Sequence, residues 1–173
     1  VPASPFWLAL LVLGLLGGLT VVSSWLGFAL ERSAYGRRRR IWDVPLAPGQ
    51  YRWEAAASLR FVAIATVAFT LAIASGGVRF GATTARSFAV TFAACWLFFE
   101  VYYYFLHRAL HTSALVRFHR LHHRSKVTTP LSGLSMSTVE TLAWMVGYLI
   151  PPLILSRFME ISPAAWALYL VYH

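Results

Sequence analysis

The sequence predicts an all-α integral membrane protein with about four transmembrane helices and a histidine-rich helical cap at one membrane surface. Three observations lead to this prediction. Of the 173 residues, 58% are hydrophobic and only 12% are charged, whereas soluble domains are roughly one quarter charged. Long apolar stretches alternate with arginine-rich ones. Five of the six histidines lie within seventeen residues, directly after the third apolar stretch.

The predicted spans follow from length, because a helix needs about 20 apolar residues to cross roughly 30 Å of hydrocarbon. They are residues 6–30, 55–75 and 87–106, with residues 141–173 as a fourth, incomplete helical hairpin. The first stretch has no basic segment before it and is longer than the apolar part of a signal peptide. It is therefore not a signal peptide. We expect a single membrane domain, and we expect it to be a trimmed piece of a longer chain because it begins with Val1 and ends on a histidine within a pattern.

Basic residues predict the orientation of the chain. The loop 31–54 contains six lysines and arginines and the segment 107–130 contains five, against three on the opposite side. Because basic residues accumulate in cytoplasmic loops, both segments are expected to face the cytoplasm. The net charge of +9 lies at the ends of the spans and therefore does not indicate nucleic-acid binding. The strong excess of arginine over lysine favours a bacterial inner membrane; in a eukaryote the endoplasmic reticulum membrane would take its place.

The histidines have helical spacing. His107 and His111 are four residues apart, and His119 is followed by His122 and His123 at three and four residues. Both spacings place imidazole rings on one face of a helix. Imidazole is the commonest metal ligand among side chains, so the pattern predicts a metal site. Nitrogen ligands without thiolates suit iron or zinc, and more histidines than one ion requires indicate two ions.

Other metal chemistries are disfavoured by residue type. Zinc peptidases enclose a glutamate between two histidines, and neither histidine pair here does so. Structural zinc sites favour cysteine, and the single cysteine, Cys95, lies in an apolar run as a core residue. A metal transporter is also disfavoured, because it would need polar residues along its spans, and the predicted spans are almost wholly apolar. Histidines on an ordinary exposed face are also disfavoured, because the other 156 residues contain only one histidine.

Polar and aromatic residues near the third span have two interpretations each. Glu100 lies two helical turns before His107 and either orients a ligating imidazole or makes a hydrogen bond between helices. Phe99, Tyr103 and Tyr104 either line a substrate route or belong to an aromatic belt at the membrane interface. The belt is the favoured interpretation of the aromatic residues.

At these residues the chain resembles a known superfamily. Residues 102–125, YYYFLHRALHTSALVRFHRLHHRS, resemble the first two histidine boxes of the fatty acid hydroxylase/sterol desaturase superfamily. Residues 128–141 and 49–54 are similar to further segments of that superfamily, and the HxxxH spacing resembles its sterol-desaturase-like members. The resemblance implies a membrane-bound non-haem di-iron enzyme. Such an enzyme uses O2 and external electrons to hydroxylate or desaturate a C–H bond of a sterol, fatty acyl chain or related lipid.

The resemblance also implies roles for individual residues. The ligands of two iron ions, which zinc can replace on isolation, would be His107, His111, His119, His122, His123 and His173. His173 resembles the first histidine of a third box, whose other histidines are missing from this chain. Ser137 stands where many relatives carry a histidine. Glu140 keeps an acidic position at which it either bonds a ligand imidazole or caps the next helix.

The implied partners are a lipid substrate, the membrane and an electron donor such as a ferredoxin or a cytochrome b5-type protein with its reductase. The basic face would attract an acidic donor. Lipid biosynthesis is the expected setting. The alternative hypothesis is a catalytically incomplete metal-binding membrane protein of the same family, because the last histidine box is absent from the sequence.

Overall fold

The computed structural model describes residues 4–39 and 44–173, and residues 40–43 of the predicted basic loop therefore lie outside the described residues. The helices are α1 (Pro5–Arg32), α2 (Ala34–Arg38), α3 (Gln50–Ala74), α4 (Ala85–Leu110), α5 (Val116–His119), α6 (Thr138–Leu155) and α7 (Pro163–Tyr172), with short 3-10 turns at His122–Arg124 and Ser132–Leu134. In the described part of the chain, α1, α3, α4 and α6 are long and apolar enough to cross a membrane. This confirms the predicted fold class.

Side-chain caps determine where the helices around the histidines begin. The Thr84 hydroxyl accepts a hydrogen bond from the Ser87 backbone N–H at 3.1 Å, and the Ser87 hydroxyl accepts one from the Thr84 backbone N–H at 2.9 Å, which forms a capping box before α4. The Ser137 hydroxyl accepts from the Glu140 N–H at 3.1 Å and caps α6. Caps of this kind satisfy N–H groups that have no partner within the helix. Ser137 thus serves here as a helix cap.

Helix α3 lies at the centre of the bundle. Ala57, Phe61, Ala65 and Phe69 are all buried, and their spacing of four residues places them on one face of the helix. By contrast, the only buried residue of α1 is Val12. The first helix therefore lies on the outside of the described bundle and exposes most of its apolar side chains to the position that lipid would occupy.

Helices α4, α6 and α7 meet in an aromatic core. The Phe99 ring lies 4.6 Å from the Tyr148 ring and 5.9 Å from the Tyr169 ring, measured between centroids. Gly147 allows α6 to approach α4 closely, because a Cβ atom there would come within 2.7 Å of the Tyr102 ring. The Tyr102 hydroxyl donates to the Ala143 carbonyl at 2.7 Å across the same interface. This packing holds the end of α4, which carries two histidines, against the start of α6.

The start of α3 and the segment that follows the histidines lie at the same end of the bundle. The Gln50 amide donates to the Val127 carbonyl at 2.6 Å, and the Ser58 hydroxyl donates to the Leu131 carbonyl at 3.3 Å. Pro130 also lies against Gly27 near the end of α1. Described parts of the two segments that are predicted to be cytoplasmic are therefore neighbours. That this end faces the cytoplasm stays a prediction.

Candidate metal centre

The clustered histidines lie at the end of α4 and in the short elements that follow it. His107 lies in the last turn of α4 and His111 is the C-cap residue of that helix. The Thr112 hydroxyl then donates to the Ala109 carbonyl at 2.7 Å, which closes the turn after α4. The chain reverses, and α5 ends at His119. The reversal brings the second group of histidines back over the end of α4.

Four imidazoles converge at this point. Histidines 107, 111, 119 and 123 each offer a ring nitrogen, and the four nitrogens all lie within 4.8 Å of one another. The Nε2 atoms of His107 and His111 are 3.0 Å apart, and those of His111 and His123 are 3.3 Å apart. One proton can join one such pair, but it cannot satisfy four nitrogens that point to a common centre. The arrangement is typical of imidazoles that surround a transition-metal ion.

His119 provides the clearest test of whether a metal suits the site. Its side chain is 1% exposed, and its Nδ1 lies 2.6 Å from Glu140 Oε1. A proton on Nδ1 that is donated to this carboxylate leaves the lone pair on Nε2, and Nε2 is buried without a hydrogen-bond partner among the described residues. An unsatisfied buried acceptor is costly, and a metal ion would satisfy it. The residues present therefore fit a metal ion, with Glu140 orienting the ligand.

Electrostatics favour the neutral, metal-binding form of His119. Burial and then the neighbouring histidines, His123 first, lower the pKa of His119 from 6.5 to about 4. Burial also lowers the pKa of His122, with smaller contributions from His123 and His107. Metal ligation requires the unprotonated ring. At neutral pH both rings are therefore already in the form that binds a metal.

His122 and His173 lie beside the four-histidine group and do not join it. The His122 ring stacks on His119 with centroids 5.4 Å apart, and its Nδ1 is buried without a partner in the described part of the chain. His173 donates from Nδ1 to the Tyr169 carbonyl at 3.1 Å. Both line a cavity of about 190 Å³ that His107, His119 and Glu140 also line. All six predicted ligands are thus in or next to one site, four of them in close convergence.

The other predicted site residues have different surroundings. Glu100 is half-exposed and lies 3.5 Å from His173 Nε2, and it does not belong to the four-histidine group. Tyr103 lines the cavity, and its ring centroid is 5.5 Å from that of His107. Phe99 is 2% exposed and lies against the His173 ring. Tyr104 is 55% exposed and accepts a hydrogen bond from Arg108 on the outside of α4. A role of these aromatic residues in substrate binding stays a prediction.

Sequence reasoning missed Glu54, a carboxylate that is 0% exposed and contacts the segment after the histidines. The signal for it was weak, because a glutamate at the edge of an apolar stretch normally lies at the membrane surface. Only the packing of α3 against residues 125–129 shows that this one is buried.

Comparison with protein families supports the interpretation of the site. Residues 92–173, slightly less than half of the chain, match the family described as fatty acid hydroxylase. The matched segment contains all six histidines and Glu140. Comparison with curated proteins and with solved structures gave no match. The match over residues 92–173 agrees with the superfamily expected from the histidine boxes.

Proposed function

We propose that the protein is a membrane-bound, O2-dependent, non-haem di-iron oxidoreductase that hydroxylates or desaturates a lipid C–H bond, as a sterol-desaturase-like member of its family. The observation that carries the proposal is the unpartnered, buried Nε2 of His119 among three other converging imidazoles. The converging histidines lie at the end of α4, which is one of the helices that are apolar enough to cross a membrane. The match of residues 92–173 to the fatty acid hydroxylase family supports an oxidoreductase of lipids.

Each histidine has a distinct part in the proposed centre. His107, His111, His119 and His123 would hold one iron ion, because their nitrogens already converge. His122 and His173 line the adjoining cavity and would contribute to the second. Bound iron supplies the activation of O2 and of the C–H bond, which no side chain can perform. Burial lowers the pKa of His119 and His122 and so favours their neutral form, and Glu140 would keep the His119 proton on Nδ1.

An apolar route from the bilayer to the cavity supports a lipid substrate. A groove of about 630 Å³ lies between α1, α3 and α7, within the usual volume range of ligand sites. It shares lining residues with a narrower apolar pocket, which in turn shares others with the metal cavity. The residues common to groove and pocket are Leu16, Leu19, Phe69 and Leu170, and those common to pocket and cavity are Phe61, Leu134, Tyr148 and His173.

The groove favours a lipid tail over a polar group. All of its lining side chains are apolar, and Thr20, at the narrower pocket, already donates its hydroxyl to the Leu16 carbonyl at 2.8 Å. A polar head group buried there would have no hydrogen-bond partner and would be costly. The proposed substrate therefore places its tail along α1 and α7, and a carbon closer to its polar end at the metal cavity.

The exposed side of the metal centre suits the docking of an electron donor. His111 and His123 are exposed, and the basic residues around them are exposed as well: Arg108, Arg117, Arg120, Arg124 and Lys126. Such a surface attracts an acidic protein. We expect a ferredoxin or a cytochrome b5-type protein with its reductase to dock there, and electron transfer to slow as ionic strength rises. Transfer rates that do not depend on salt would exclude this steering.

The proposed function is tested with the complete protein purified from membranes. Metal analysis should find about two iron ions per chain if six or more histidines serve two sites. Lipids of cells that express the protein should gain an O2-dependent oxidised product, and a His119→Ala variant should form none. Iron content near zero in the wild type, or equal product in both strains, would contradict the proposal.

A further inference from the structure

A second buried carboxylate lies next to the histidine segment, and it comes from a different helix. Glu54, in the second turn of α3, is 0% exposed. Its Oε1 accepts hydrogen bonds from the Ser125 hydroxyl at 2.7 Å and the Gln50 amide at 2.8 Å, and its Oε2 accepts from the Thr129 hydroxyl at 2.6 Å. Burial of a carboxylate is costly unless donors surround it. Three donors meet that requirement here.

These donors connect α3 to the turn that carries two of the histidines. Ser125 is the C-cap residue of the turn His122–Arg124, and its backbone N–H donates to the His122 carbonyl at 3.3 Å. The Gln50 amide that contacts the carboxylate also donates to the Val127 carbonyl at 2.6 Å. Helix α3 is therefore hydrogen-bonded to the chain immediately after the second histidine group.

The histidine segment is thus held by two carboxylates on two different helices. Glu140, on α6, contacts the first histidine of the segment directly through His119 Nδ1. Glu54, on α3, contacts no histidine and acts on the chain that follows His123 through Ser125 and its neighbours. A displacement at that end would turn the His122 and His123 rings away from the histidines on α4.

We propose that Glu54 is a positioning residue of the metal centre: by holding Ser125 and Thr129, it keeps His122 and His123 directed towards His107 and His111. The inference rests on the proposed function, since it requires that these histidines bind a metal. Groups that orient metal ligands typically contribute 10–100-fold to metal affinity. Loss of Glu54 should therefore weaken metal binding by a factor in about that range.

The test is a titration of the purified full chain with cobalt(II), whose visible absorption depends on the geometry of its ligands. We expect Glu54→Ala to bind cobalt about 10–100-fold more weakly and to show a changed spectrum. Glu54→Gln keeps the size of the side chain and should recover part of the affinity. Because Ser125 acts through the same contact, adding Ser125→Ala to Glu54→Ala should cost little more affinity.

Ser58→Ala is the matched control. Ser58 lies one turn further along α3, is 4% exposed, and bonds to the Leu131 carbonyl across the same interface. It should lose some thermal stability and keep the cobalt affinity and spectrum of the wild type. The same result in Glu54→Ala would reduce Glu54 to a purely structural role and overturn the inference.

Two further outcomes are decisive. If Glu54→Ala does not fold, Ser125→Ala and Thr129→Val take its place, and unchanged cobalt affinity and spectra in both would overturn the inference. If the wild type itself binds no cobalt and no iron, the proposed function fails and this inference fails with it. Failure of the inference alone requires a wild type that binds metal and a Glu54→Ala variant that binds it equally well.

Discussion

The four converging histidines and the pair formed by His122 and His173 are assembled in different ways. The first set comes from the end of α4 and the short elements that directly follow it, and its ring nitrogens lie within 4.8 Å of one another. The second set combines His122, from the same turn as His123, with His173, which follows α7; that helix packs on α4 through Phe99 and Tyr169. One metal position is therefore built locally, whereas the other also requires tertiary packing, because it includes His173. The two positions should therefore respond differently to mutation.

The largest loss of metal affinity is expected when His119 is replaced. His119→Ala removes the most buried ligand and leaves the Glu140 carboxylate buried without its partner. Metal affinity at the converging site should fall by at least about 100-fold, more than for a residue that only orients a ligand. Isothermal titration with cobalt(II) measures the change, and Arg120→Ala, an exposed neighbour, is the control. Normal affinity in His119→Ala would remove this residue from the ligand set.

A loss of one metal ion is expected when either His122 or His173 is replaced. His122→Ala and His173→Ala should each reduce the metal content of the complete protein from about two ions to about one, because the four converging nitrogens remain in place. Product formation should be abolished in both variants. Metal analysis together with lipid profiling measures the two effects. An unchanged metal content would show that His122 and His173 are not ligands, and loss of both ions would show that the two positions are not independent.

A smaller loss of metal affinity is expected when the charge of the Glu140 side chain is removed and its shape is kept. In Glu140→Gln the amide oxygen can still accept the proton from His119 Nδ1, but a neutral group no longer increases the basicity of the ring. Affinity at the converging site should fall by about 10–100-fold. Glu100→Gln is the control, because Glu100 contacts His173 and none of the four converging histidines. Equal losses in the two variants would contradict a specific role for Glu140.

The same comparison explains how far the sequence predicts the site. Helical spacing predicts that His107 and His111 share a face, and no tertiary information is needed for that. Packing between helices that are distant in sequence determines the burial of Glu54, the groove beside α1 and the position of His173 next to the site. The histidine pattern therefore predicts both that the site binds a metal and which histidines are its candidate ligands. It does not predict which residues hold those ligands in place.

The smallest expected effect is on the stability of the metal-free protein. The unfolded chain binds a proton at His119 with the ordinary pKa of 6.5, whereas in the folded protein that pKa is lowered to about 4, mainly by burial. Between these values the unfolded state holds more protons, so the free energy of unfolding falls as the pH decreases from about 6.5 towards about 4. Thermal unfolding in detergent at pH 7.5, 6 and 5 measures the decline. His119→Gln cannot titrate at this position and should show a flatter dependence; an equally steep decline would place the destabilising protonation at another residue.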